Sequence, residues 1–390
     1  MAKSARVGQS ARESAQTSLP DLALLFLRLG TTAFGGPAAH IAMMEDEVVR
    51  RRGWMTQQEF LDLLGATNLI PGPNSTEMAI HIGHRQGGWP GLLVAGVSFI
   101  LPAVLIVMAF GWAYVRYGSL PQVAGILYGV KPVIIAIVLQ ALWSLGKTSI
   151  KTKLLAGVAV AAVILTFLGI HELVILFGAG IIVGTWCLIR QVGRRGLTSM
   201  FSVTPLALFL SASATTTFGL WSLFLFFLKV GSVLYGSGYV LLAFIRADLV
   251  ERWHWLTESQ LLDAIAVGQV TPGPVFTTAT FVGYMLAGPK GAMVATAGIF
   301  LPAFFFVAVS GPLVPRIRRS PTAGAFLDGV NAAALALMVV VTYQLGRAAL
   351  IDITTIALAL LSVVILFRFR VNSVWLIIGG AIAGWLLHGR

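Results

Sequence analysis

The sequence predicts an all-α polytopic membrane protein made of two homologous inverted-topology repeats, with broken, re-entrant helices at Gly-Gly-Pro and Pro-Gly-Pro motifs. Three observations predict it: apolar runs of membrane-spanning length, a self-match at an offset near 200 residues, and a basic-residue bias whose sign reverses between the two copies.

Of the 390 residues 57% are hydrophobic and only 11% charged, too little polar material to cover a soluble domain of this size. Leu154–Ile170 and Leu173–Ile189 are each about 17 apolar or small residues long with almost no charge, enough to cross a hydrocarbon core as a helix. Forty-two glycines suit membrane helices that pack closely or break. The formal charge of +12 lies in short clusters between the apolar runs. That is a positive-inside signature and not a nucleic-acid footprint, so a lipid bilayer and no nucleic acid is the expected environment. The single Cys187 excludes a disulfide framework and cysteine-based metal chemistry. Residues 1–19, basic and serine-rich, read as a disordered cytoplasmic tail. Arg28 interrupts the apolar stretch Leu22–Leu29, which argues against a cleavable signal peptide.

The self-match divides the remainder. Phe26-Leu27-Arg28-Leu29-Gly30 recurs as Phe227-Leu228-Lys229-Val230-Gly231, Trp54-Met55-Thr56 as Trp255-Leu256-Thr257, Asp62 as Asp263, and Pro71-Gly72-Pro73 as Pro272-Gly273-Pro274, all at an offset of 201. One residue is then lost, and Gly83, Gly88, Gly91, Leu101-Pro102-Ala103 and Gly129-Val130 continue at an offset of 200. The expected division is a first repeat over 20–190, a basic linker with one extra crossing over 191–220, and a second repeat over 221–390. Val203–Leu220 supplies the extra crossing.

Basic clusters give the sidedness. With Lys147, Lys151 and Lys153 inside, Gly88–Val115 leaves the cytoplasm and Gln122–Gly146 returns to it. The preceding stretch then starts and ends inside as two hairpin-like pieces. One bends at Gly35-Gly36-Pro37 and the other at Pro71-Gly72-Pro73. Arms of about 14 residues, or about 21 Å of helix, are too short to span alone. In the second copy the counterpart of the outer loop carries Arg316, Arg318 and Arg319, while the counterpart of the inner loop carries Arg347 and Asp352. The bias has reversed, so the second repeat is expected to be inverted, the architecture of secondary transporters.

A Pro-Gly-Pro break stops one half-helix and starts another. The new helix begins Asn74-Ser75-Thr76-Glu77 in the first copy and Val275-Phe276-Thr277-Thr278 in the second. Free N–H groups and the positive dipole end at each start make an anion site inside the membrane. Arg28 and Lys229 are matched cations in apolar helices, fitted either to attract an anion or to pair with a carboxylate. Lys131 is a third such cation, with Asn331 as its counterpart and snorkelling as the alternative.

The candidate anion-binding set is Arg28, Gly35, Gly36, Asn68, Gly72, Asn74, Ser75, Thr76 and Lys131, with Lys229, Gly273 and Thr277 from the second copy. Glu77, His81 and His84 share one helical face, for proton relay in preference to metal binding, since the second copy has no histidine there. Glu77 also reads as a capping-box partner of Asn74. Asp62 and Asp263 are the other proton candidates, or partners for the matched cations. Glu45, Asp46 and Glu47 beside Arg50–Arg52 read as a solvated, ion-paired face. No catalytic or nucleotide-binding constellation occurs, so neither an enzyme nor a cofactor is expected, and transport is expected to run on gradients.

Phe34-Gly35-Gly36-Pro37, Arg52-Gly53-Trp54-Met55, Glu59-Phe60-Leu61-Asp62 and Thr67-Asn68-Leu69-Ile70-Pro71-Gly72-Pro73-Asn74-Ser75-Thr76-Glu77 resemble the chromate ion transporter family in its long, two-domain form. The second copy departs from the pattern: Tyr235-Gly236-Ser237-Gly238 stands for the first motif, and no Asn-Ser-Thr-Glu follows its Pro-Gly-Pro. The resemblance implies chromate export across the bacterial inner membrane, chromate resistance, and drive by the proton motive force or membrane potential. The basic cluster Lys3, Arg6 and Arg12 puts the N-terminus in the cytoplasm, and protons as a coupling ion and a homodimer are further expectations. Sulfate is the chemical analogue. A carrier of sulfate or another oxyanion, or an anion channel, remains the alternative reading.

Overall fold

The computed structural model describes residues 17–32, 36–118, 120–192, 218–235, 238–318, 320–369 and 371–388. The expected tail (up to residue 16), Gly35 and most of the expected extra crossing lie outside the described residues. The first repeat contains α1 (Leu19–Thr32), α2 (Pro37–Glu45, continued by a π-helical turn, Asp46–Arg51), α3 (Gln57–Thr67), α4 (Asn74–Tyr117), α5 (Pro121–Ser149), α6 (Lys153–Phe167) and α7 (Glu172–Val192). The second repeats the series as α8 (Leu220–Val233), α9 (Leu241–Phe244, continued by a π-helical turn, Ile245–Arg252), α10 (Glu258–Val270), α11 (Thr278–Arg318), α12 (Pro321–Ala349), α13 (Ile353–Phe369) and α14 (Ser373–His388). No strand occurs among the described residues.

Local chemistry explains the boundaries, and it is duplicated. Thr56 caps α3 by accepting from Glu59 N while the Glu59 carboxylate accepts from Thr56 N. Thr257 and Gln260 make the same capping box on α10. Each Pro-Gly-Pro stops a helix, and Gly72 (φ 137°) and Gly273 (φ 96°) take the positive φ of the turn. Further along, α4 and α11 both break where Gly88 and Gly288 adopt φ 60°. Gly53 also has φ 60°, and its counterpart His254 keeps φ 53° although a side chain disfavours it. The duplicated backbone outlasts the residue that made it easy.

Five helices among the described residues, α4, α5, α7, α11 and α12, are long and apolar enough to cross a membrane. The protein is therefore a multi-pass membrane protein. Large side chains such as Leu105 and Phe305 stay exposed on these helices, as a lipid-facing surface requires.

The repeats interlock reciprocally. Within each, the first helix packs on the long one: α1 on α4 and α8 on α11. Between them, α5 packs on α13 and α14, and α12 packs on α6 and α7. The long helices α4 and α11 cross each other, with Gly96 against Phe304, Gly111 against Tyr284, and the Tyr114 and Phe281 rings 5.3 Å apart. Residue numbers rise along one helix as they fall along the other, so equivalent helices run antiparallel. The two repeats are thus inverted relative to one another.

Glycine sets the closest approaches. A Cβ on Gly129 would strike the backbone of Gly380 and Gly384 on α14, and one on Gly329 the backbone of Ala179 and Gly180 on α7. Neither backbone can retreat without moving a helix. Gly129→Ala is expected to destabilise by about 1–3 kcal/mol through overpacking. Gly346→Ala, which meets open space, is expected to be neutral or stabilising by up to about 1 kcal/mol. Thermal unfolding of the two variants in one detergent measures both; equal midpoints would contradict the packing argument.

Candidate functional site

The two Pro-Gly-Pro turns meet. Gly72 packs against Ala303 of the second repeat, and Gly273 against Ala103 of the first, a reciprocal pair. Gly72 N donates to Leu234 O at 2.8 Å, tying the first turn to the end of α8. Between the turns lies a chamber of about 20 Å³ lined by Pro37, Gly72, Pro73, Asn74 and Ser75 from one side and Gly238, Pro274, Val275 and Phe276 from the other. Such a volume holds about one water, so the chamber is closed around its centre.

The start of α4 is open to an anion. Pro73 provides no side-chain cap, so the N–H groups of Asn74, Ser75 and Thr76 have no intrahelical acceptor. Asn74 Nδ2 donates to Asn68 Oδ1 at 2.8 Å, holding the two ends of the interruption together. The hydroxyl of Thr76 is buried without a hydrogen-bond partner. The second copy offers less. It starts with a 3₁₀ turn, Val275–Thr277, in which Thr277 N donates to Pro274 O at 3.0 Å and Thr277 Oγ1 to the same carbonyl at 2.8 Å. The sequence expectation of equal backbone donors at both starts is corrected accordingly.

Glu77 does not form the expected capping box with Asn74. Its side chain turns inward against Gly72, is fully buried, and neither carboxyl oxygen has a hydrogen-bond partner. An ionised carboxylate in that setting costs several kcal/mol. His81, one turn on, is buried with Nε2 unpartnered, whereas His84 packs edge-on against Trp89.

A second cavity, about 710 Å³, adjoins the chamber at Asn74. Its walls are Thr67 to Ile70 from the end of α3, Leu327, Asp328 and Asn331 of α12, and Lys147 to Ser149 of α5, with Tyr235 beside them. Lys151 also lines it and pairs with Asp328 at 2.8 Å. This vestibule brings Asn68, Asn74 and two lysines into one aqueous-sized space.

Other predicted residues lie elsewhere. Arg28 pairs with Glu47 at 3.4 Å, and Lys229 pairs with Asp248 at the equivalent place in the second repeat. Neither cation lines either cavity. Glu47 is buried and gathers Arg28, Arg51 and Arg52, so it departs from the solvated face expected for it. Asp263 is buried and takes Lys131 at 3.4 Å and the Tyr114 hydroxyl at 2.8 Å, rather than either matched cation. Lys131 is thereby held by a carboxylate of the second repeat. Asp62, by contrast, is exposed on α3. Gly36 caps the start of α2 at φ 80°. Sequence reasoning missed Tyr114, Asp248 and Asp328. The first and last contact partners far away in the chain, but Asp248 stands 19 residues after Lys229 as Glu47 does after Arg28, and that shared spacing was a usable signal.

The chromate transporter family model matches residues 20–185 and 221–385. The chromate transport protein of Cupriavidus metallidurans is 36% identical over 367 residues, covering 93% of this chain and 92% of that protein. A probable chromate transport protein of Synechococcus elongatus is 31% identical, covering 96% of each chain. The chromate transport protein of Pseudomonas aeruginosa is 30% identical over 95% of this chain and 92% of its own length. No solved structure matches the chain.

The contact between Gly72 and Glu77 makes a measurable demand. Gly72→Ala forces a side chain into a positive-φ backbone and against a buried carboxyl, an expected cost of about 1–3 kcal/mol. Gly36→Ala meets open space at its own positive φ and is expected to cost about 1–2 kcal/mol at most. Thermal midpoints should therefore fall further for the Gly72 variant. The reverse order would place Glu77 away from the turn.

Proposed function

The chain belongs to the chromate transporter family, a family of membrane transporters, and from that premise we propose that it exports chromate from the cytoplasm across the inner membrane and so confers chromate resistance. One observation carries the reading: a chamber between two opposed helix starts, adjoining a wide vestibule at Asn74. A tetrahedral dianion suits three converging backbone N–H groups and the Asn74, Ser75 and Thr76 side chains. Lysines 147 and 151 at the vestibule fit a cytoplasmic mouth, because the positive-inside bias puts that loop inside together with the N-terminus. The described arrangement is then inward-open, with the central chamber collapsed until an anion widens it.

Inside-negative potential favours exit by about 2.3 kcal/mol per charge per 100 mV, roughly twice that for a dianion. Glu77 sets the coupling. Its carboxyl abuts the turn that holds the anion, and an ionised Glu77 would repel a dianion across it, so proton and anion are carried together. One proton per chromate leaves a net charge of about minus one to move, which keeps the potential as the driving term while an acidic exterior opposes it.

Labelled chromate uptake into everted membrane vesicles tests this. Collapsing the potential should abolish uptake, and collapsing the pH difference alone should raise it or leave it unchanged; the opposite pattern rejects cotransport. Glu77→Gln is expected to keep potential-driven uptake and lose sensitivity to the pH difference. Excess sulfate should compete only in part; complete replacement of chromate by sulfate would reassign the substrate within the same mechanism.

Asn74→Asp offers a sharper test of the anion site. A carboxylate at the first turn stabilises a helix by about 0.3–1 kcal/mol, yet it occupies the position proposed for the anion. Unfolding should shift upward or stay constant while uptake falls at least about tenfold. Loss of both together would reduce Asn74 to a structural role.

A further inference from the structure

The two repeats act as an internal comparison, and the packing of one helix differs between them. Helix α10 is buried: Leu261, Leu262, Ala264 and Ile265 are at most 1% exposed, and the helix packs on α5, α12 and α14 as well as on α4 and α11. Its counterpart α3 packs chiefly on α4 and α11, with Leu61 45% exposed and Asp62 exposed. The contact α10 makes with α5 corresponds by the repeat to a contact between α3 and α12. The vestibule occupies that position, with Asn68 on one wall and Asp328 and Asn331 on the other.

Where α10 meets α5, the joint is polar, with Asp263 buried, Lys131 half-buried and Ser259 exposed. Asp263 takes Lys131 and Tyr114, and Lys131 Nζ donates to Ser259 Oγ at 2.6 Å. Other ion pairs cross between the repeats, Lys151 with Asp328 at the vestibule and Arg252 with Glu172, but neither joins α10 to α5 or α3 to α12. The counterpart of Lys131 is Asn331, whose Oδ1 is buried in the vestibule wall without a hydrogen-bond partner. A two-fold relation between inverted repeats makes the mirror arrangement available at similar energy: α3 closed on α12, and α10 parted from α5.

We propose that Lys131, Asp263 and Tyr114 are the gate on the face opposite the vestibule, and that the opposite-facing state forms when α3 closes on α12 at Asn331 while Asp263 leaves Lys131. This rests on the transporter reading for its purpose, but not on the identity of the ion. Because only one of the two joints carries an ion pair, the pair biases the resting protein toward the arrangement described here. Lys131 and Asp263 then act by positioning α10 and do not touch the anion.

The test uses the full chain, with Cys187→Ser as background, in proteoliposomes without substrate. Asp62→Cys and Asn331→Cys are joined by a bifunctional thiol reagent of about lysine length, which closes only when α3 reaches α12. Adding Lys131→Met with Asp263→Asn, which removes both charges together, is expected to raise the cross-linking rate about tenfold or more. Tyr114→Phe, a milder change, should raise it by a smaller factor and carries the test if the double variant fails to fold. An unchanged rate in Tyr114→Phe and in a folded double variant overturns the gate. A raised rate in protein that moves no chromate would uphold the gate and discard only the substrate, so the two readings fail separately.

Discussion

Two helix interruptions in an apolar setting have to hide their ends, and most of this structure follows from how they do so. Unsatisfied backbone groups in hydrocarbon cost several kcal/mol each. Glu77 covers the first Pro-Gly-Pro turn from within its own repeat, but neither turn is covered by its own repeat alone. Each also rests on the Leu-Pro-Ala segment of the other, Gly72 on Ala303 and Gly273 on Ala103. That mutual cover brings α4 and α11 together antiparallel, and with them the two helix starts. The chamber between the starts is a by-product of the same packing, which is why the site sits on the relation between the repeats and not within either one.

Much of this was legible because proline and glycine act locally. The half-helices, the breaks at Gly72 and Gly273, and the duplication could be read from residue order alone, and the reversal of basic residues pointed to the inversion that the α4–α11 crossing displays. Charge partners were less legible. Arg28 with Glu47, and Lys229 with Asp248, repeat at one spacing and were readable in principle. Lys131 with Asp263 was not, since the residues lie far apart in the chain, in different repeats, and have no matched counterpart: Asn331 replaces the lysine and Asp62 stays exposed. The inward turn of Glu77 was hidden for another reason. Asn74 and Glu77 stand at capping-box spacing, and only the packing of Gly72 decides that the carboxyl goes elsewhere.

Duplication followed by divergence explains the division of labour. His254 still holds the left-handed conformation that Gly53 adopts freely, so the backbone of the second copy has been kept where its sequence drifted. At the helix start the drift went further. The 3₁₀ turn at Val275–Thr277 uses up a donor that the first copy leaves open. One half-site has thus kept the polar chemistry, while the other presents Phe276 and a smaller set of backbone groups. In the proposed mechanism, an asymmetric ligand environment on a nearly symmetric frame would let the frame exchange its two arrangements without the ligand losing its better half-site.

The residues lining the chamber carry no formal charge, and this suits the carrier site proposed for it. An ammonium or guanidinium against a dianion in a low-dielectric site would bind it too firmly to release. A helix start offers about half a charge, spread over several N–H groups. Two starts facing one another compensate part of a dianion, enough for entry and weak enough for exit, the balance that any conducting or carrying site has to strike. The full cations are set apart, Arg28 and Lys229 in their own ion pairs and the lysines at the vestibule mouth. In the proposed mechanism the remaining charge of the dianion is the term that a proton on Glu77 offsets, so a weak anion site and a coupled proton share one electrostatic origin.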